Sequence, residues 1–254
     1  MAKVVMSQEN VEVLWVNVSP SLKRFDRPLI QQLMQHSTIA YWEYHTQYDE
    51  VSSIDTAIVL LHDYLKSRSQ PIHLIGHGLG GVVALSYARQ FPDRVRSLSL
   101  LAVAPQPAIT WHSHYYVQRH LLPCSQAQVL AQVARNLFGP AAPYPITPLI
   151  QALAKDLDFA PSPHSLYKVT TLPEGAVEVP LLVCNSQTDS AVSHPLMQRW
   201  IKWFKPGDTF WTCPTGHHFF HYSEPELVSQ QLQKFWKQVQ KREIRNHDRH
   251  LIYA

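Results

Sequence analysis

The stretch Gly76-His77-Gly78-Leu79-Gly80-Gly81 is the part of this chain most shaped for chemistry. An apolar run (Ile72, Leu74, Ile75) leads into it, and residues with helical spacing (Val82, Val83, Ala84, Leu85, Tyr87, Ala88) lead out, so it predicts a sharp strand-to-helix turn. Such a turn can present a nucleophile or cradle a phosphate. The dinucleotide cradle needs glycines at a different spacing and an acidic residue about 20 positions later. A nucleophile needs a reactive side chain on the presented residue. The centre of this turn is Gly78, which has none, so no covalent intermediate can form there.

Other groups give weaker signals. Trp111, His112, His114, Tyr115, Tyr116 and His120 crowd aromatic and imidazole rings into one segment. They suit an amphipathic covering packed on the core, and equally a surface lining a small apolar ligand. His112 and His114 do not define a metal site, because no third or fourth ligand stands at a fixed spacing, and neither metal nor cofactor is expected. Cys124, Cys184 and Cys213 make an odd count without metal-type spacing, which favours reduced thiols. Cys184 and Cys213 lie in apolar strand-like runs, where a thiol is buried and inert. Asp189, in the polar stretch Asn185 to Val192, suits a turn or helix start in which its carboxylate accepts nearby N–H groups.

The elements that must position these residues follow from periodicity. Val11 to Val18 reads as a core strand, Asp26 caps a helix carrying Leu29, Ile30, Leu33 and Met34, and Thr38 to His45 is the next strand. A polar loop at Gln47 to Glu50 and an amphipathic helix from Ile54 to Lys66 precede the glycine turn. Val95 to Ala104 is a strand parallel to the one entering the turn. Pro105 to Pro173 is proline-rich around helices at Gln126 to Leu137 and Leu149 to Leu157. Then come a buried strand (Val179 to Cys184), a helix (His194 to Phe204), a strand (Asp208 to Cys213) and a final helix (Leu227 to Val239). Lys241 to Ala254 has no strong pattern and is expected to be an exposed basic tail, or else a basic interaction arm.

From about Val11 to Val239 this order resembles the α/β-hydrolase superfamily. The turn matches its Gly-x-Ser-x-Gly nucleophile elbow at both flanking glycines, with Gly78 in the place of the serine. The resemblance implies an α/β-hydrolase fold, a mostly parallel sheet with helices on both faces. The core would comprise residues 1–106 and 174–242, a small helical cap insertion residues 107–173, and a polar basic tail residues 243–254. It implies that Asp189 is the acid and that the base lies in Gly216-His217-His218-Phe219-Phe220-His221. Counting from Gly216 selects His217, but Phe219, His221 and the Pro225-Glu226 pair favour His218. The first strand should supply an oxyanion N–H from the loop after it. Here it runs into Asn17-Val18-Ser19-Pro20-Ser21, with no glycine and with a proline that has no N–H, so a donor would survive only at Ser19 or Ser21. Ser19, His77, Leu79, Trp111 and His114 are the expected binding residues.

In working members the Asp orients the His, the His deprotonates the Ser, and two N–H groups hold the oxyanion. Without the serine the leading expectation is a non-hydrolytic pseudoenzyme, a small-ligand-binding or protein-interaction module. The alternative is an enzyme in which Asp189 and His218 act as a general base without a serine, or a weak esterase-type hydrolase with a nucleophile from Ser19, Ser21 or Cys124. The 254 residues are 45% hydrophobic and 16% charged, which suits one large globular unit. A net charge of +3 is too small to propose nucleic acid as a partner. No run of 18 apolar residues and no leader-type segment is present, so a cytoplasmic protein without a transmembrane segment is expected.

Overall fold

The computed structural model describes residues 11–46, 50, 52–139, 142 and 145–252, with side chains to residue 245. The polar loop expected at Gln47 to Glu50 and the final residues of the expected tail lie largely outside them. Six strands form one sheet: β1 (Val13–Asn17), β2 (Ile39–Glu43), β3 (Ile72–His77), β4 (Val95–Leu101), β5 (Leu181–Ser186) and β6 (Thr209–Cys213). Their order is β2-β1-β3-β4-β5-β6, and all neighbours are parallel. Parallel pairing requires crossovers, and the helices that make them cover both faces.

Strand side chains alternate between two cores. On one face Leu14, Val16, Leu74, Leu98, Leu100, Leu181 and Val183 pack against α2 (Ile54–Leu65) and α3 (Gly78–Gln90). On the other, Val13, Trp15, Ile75, Leu101, Leu182 and Cys184 meet α1 (Arg27–Leu33) and the last helix, α9 (Pro225–Ile252), which follows the one-turn α8 (Phe220–Ser223). Between β4 and β5 the chain leaves the sheet for α4 (Trp111–Leu121), α5 (Gln126–Phe138) and α6 (Ile146–Phe159). These helices form a third cluster with Leu22, Phe25 and Phe219 over the C-terminal end of the strands.

Three local expectations change. Asp26 makes no side-chain cap to α1, because its carboxylate turns inward to donors on Trp15, Tyr41 and His221. The helix expected from His194 to Phe204 divides into α7 (His194–Gln198) and a 3-10 segment, Arg199–Trp203. The supposed tail continues α9 to Ile252, and Glu243 within it pairs with Arg96 at 2.5 Å. Its polar, basic sequence hid the continuation because residues 240–245 are exposed and lay no apolar stripe against the domain.

Candidate active site

β3 delivers the chain to Gly78, the first residue of α3, with φ +50°. That left-handed conformation is costly for any residue with a Cβ. A Cβ built on Gly78 would meet only one atom within 4 Å, Nε2 of His218 at 3.8 Å. A hydroxyl one bond further out would reach hydrogen-bonding distance of that nitrogen. The glycine two positions on has a different reason: a Cβ on Gly80 would sit 2.3 Å from the Val16 carbonyl oxygen, so α3 lies against β1 only because the side chain is missing.

Opposite Gly78, the Nδ1 of His218 lies 2.9 Å from Oδ2 of Asp189, and both residues are buried, at 1% and 4% exposure. The other carboxylate oxygen of Asp189 accepts the N–H groups of Ala191 and Val192 at 2.8 and 3.0 Å. The turn role and the pairing role therefore coexist in one side chain. Because Nδ1–H donates to the carboxylate, the neutral ring carries its lone pair on Nε2. That atom is buried and has no hydrogen-bond partner among the described residues.

His217 faces elsewhere. Its ring packs on Gly139 at the end of α5, and its N–H donates to Thr188 Oγ1. His77 carries Nε2 3.0 Å from the carbonyl oxygen of His218 and braces the base loop. Burial, followed by His221 and His218, holds the His77 imidazole well below its ordinary range, which suits a neutral ring donating Nε2–H to that carbonyl.

Gly78, His218, Ser19, His77, Leu79, Trp111, Asn17 and Asp26 all line one small cavity. It has room for about one water molecule. That is too little for the small apolar ligand expected of the ring cluster, and Trp111 and His114 line a second cavity of about 120 Å³ beside it. Trp111 and Tyr115 belong to the cap core, and His112 lies 3.1 Å from Asp156 with both side chains fully buried. His114 stands outside the first cavity, with Nε2 2.7 Å from the carbonyl of Ala191.

The oxyanion side differs from the expectation in detail. The Ser19 N–H already donates to Asn17 Oδ1 at 2.8 Å. The Ser19 and Ser21 hydroxyls donate to Asp156 at 3.2 and 3.3 Å, so a carboxylate rather than an imidazole receives them, and neither is activated. Leu79 lies in the first turn of α3, where N–H groups have no intrahelical acceptor. Cys184 and Cys213 are buried, and burial pushes both thiols up, away from the nucleophilic thiolate.

Two networks were not anticipated from sequence. Asp26 gathers Trp15 Nε1–H at 3.0 Å, Tyr41 O–H at 3.1 Å and His221 Nε2 at 3.1 Å. Asp156 gathers the Ser19 and Ser21 hydroxyls beside His112. The second left a signal: Asp156 falls in register with Leu149 and Leu153, the buried stripe of α6. No group of three or more potential ligands among the described residues converges on a metal position. No helix among them is long and apolar enough to cross a membrane.

Comparison with known proteins agrees with this architecture. The model of the alpha/beta hydrolase family matches residues 36–231. The chain belongs to that family. An uncharacterized protein of Nostoc sp. is 48% identical over 90% of this alpha/beta hydrolase-family chain and 92% of its own, and one of Synechocystis sp. is 42% identical over 91% and 92%. Among solved structures, an esterase from Thermogutta terrifontis superposes with a TM-score of 0.67 at 17% identity, covering 91% of both chains. A bromoperoxidase from Bacillus anthracis does so with a TM-score of 0.68 at 14% identity, covering 90% of this chain and 92% of that one. At such identities these two likenesses speak for the fold alone.

Proposed function

We propose that this chain is a non-hydrolytic member of the alpha/beta hydrolase family, a binding or interaction module that has kept the elbow and the Asp189–His218 pair. One observation carries the reading: the position facing the buried, unpartnered Nε2 of His218 is Gly78, with no side chain. Acyl transfer by this family's serine route needs an attacking oxygen there. The Ser19 N–H bonded to Asn17 takes away one of the two N–H donors that the developing oxyanion needs.

The intact pair supports a second reading, in which His218 acts as a general base on a water or a substrate C–H or O–H. The nitrogen that would accept the proton is the unpartnered one, and Asp189 is placed to stabilise the resulting imidazolium. A fluorophosphonate label and a panel of p-nitrophenyl esters, applied to the wild-type chain and to His218→Ala, test both. The first reading expects no label and no turnover from either protein. Label on the wild-type chain would overturn it, and turnover that disappears with His218→Ala would establish the second.

A further inference from the structure

At the opposite end of the sheet from Gly78, a cleft of about 330 Å³ opens between the N-terminal ends of β1, β3 and β4 and one face of α9. Open α/β sheets bind their ligands beyond the C-terminal ends of the strands, so the site above does not account for this one. Its size falls within the range of small-molecule sites, roughly 300–1,000 Å³.

The lining is cationic. Arg96 and Lys237 face one carboxylate, Glu12, which already accepts the Thr38 N–H at 3.3 Å. Glu243 takes Nε and Nη2 of Arg96, at 3.1 and 2.5 Å, and Nη1 stays outside that pair. Lys237 also borders a neighbouring depression with Lys234 and Lys241, so the positive character continues along the exposed side of α9.

The floor is formed by two rings, those of Trp236 and His73, inclined at 31° to each other. Trp236 is only 7% exposed, and its indole N–H is buried with no acceptor among the described residues. A buried donor in that state is costly to leave unmet. The His73 ring packs beside it at 5.6 Å between centroids. Burial and then Arg96 push that imidazole down to about 3, so at neutral pH it adds a flat surface and no charge.

We propose that this cleft binds a small organic anion with a flat apolar body. Its carboxylate or phosphate pairs with Lys237 and Arg96, and its body lies against Trp236 and His73. The requirement for negative charge comes from the two cations, and the requirement for flatness from the two rings.

Titration calorimetry of the full chain with phenyl phosphate tests this, with phenol and inorganic phosphate as comparators. The expected result is saturable one-to-one binding of phenyl phosphate, weakened on the order of tenfold or more in Lys237→Gln and in Arg96→Gln. Gly78→Ser should bind it as the wild-type chain does, and circular dichroism should show each variant folded. Absence of saturable binding, or equal affinity in Lys237→Gln, would overturn the proposal. So would loss of binding in Gly78→Ser, which would move the ligand to the elbow. Equal affinity for inorganic phosphate would overturn the flat body, and equal affinity for phenol the anionic head.

Discussion

A serine at position 78 would find space but incomplete support. Its Cβ would meet only His218 Nε2, at 3.8 Å, and its backbone would inherit φ +50°, which costs on the order of 1–2 kcal/mol for a residue with a Cβ. The missing part is the second oxyanion donor beside the Leu79 N–H, because Asn17 holds the Ser19 N–H. Gly78→Ser should therefore take up a fluorophosphonate label yet hydrolyse p-nitrophenyl acetate slowly, with the absent donor costing about 10²–10³ in rate. Adding Asn17→Ala to Gly78→Ser should raise that rate by freeing Ser19. Equal rates in the single and double variants would show that this N–H is not the limiting group. The residues of the site were unevenly legible. Asp189 and His218 stand in strings that match the family's acid and base loops, and they meet in space. Asp26 looked like a helix cap because aspartate before Arg27-Pro28 usually is one, and its three inward donors come from residues 11, 15 and 195 positions away.

The elements place those residues through an aromatic plug. Phe25 is fully buried beside Phe138 of α5, Phe219 of the base loop and Tyr222, with ring centroids 4.6, 5.2 and 5.3 Å away. Phe138 and Phe219 stack at 4.5 Å with 7° between their planes. Phe25→Ala would remove the ring common to all three contacts. It should cost about 3–5 kcal/mol in chemical denaturation, as large buried aromatics do, and a loss below about 1 kcal/mol would show that the cap and base loop hold together without it. Strands and crossover helices were legible because period-2 and period-3.6 apolar patterns are strong where both faces are buried. The cap was less so. Helix α4 carries few aliphatic residues and hides its buried Trp111, His112, Ser113 and Tyr115 among polar neighbours. The extension of α9 past Val239 was missed because propensity and one partner, Arg96 with Glu243, sustain it without an apolar stripe.

At the scale of the whole molecule, buried neutral imidazoles tie stability to pH. The His73 pKa falls from 6.5 to about 3 on folding, through burial and Arg96. Between those values the unfolded chain binds the proton and the native chain does not, so this contribution is present above pH 6.5 and is lost as pH falls toward 3. From pH 7 to pH 5 it amounts to about 2 kcal/mol. His77 is shifted in the same direction and adds to it. Denaturant titrations at the two pH values should show that fall in the wild-type chain and a smaller one in His73→Gln. An unchanged difference would remove His73 as a source of acid sensitivity. The N–H groups of His218 and Phe219 both converge on a single carbonyl oxygen, that of Leu137 in α5, at 3.1 and 3.4 Å. The loop that carries the imidazole therefore hangs from the insertion above the sheet as well as from the sheet itself. The cap of this chain is thus not an interchangeable accessory: a graft from another member would have to reproduce that one oxygen, or the imidazole would lose its alignment over the elbow.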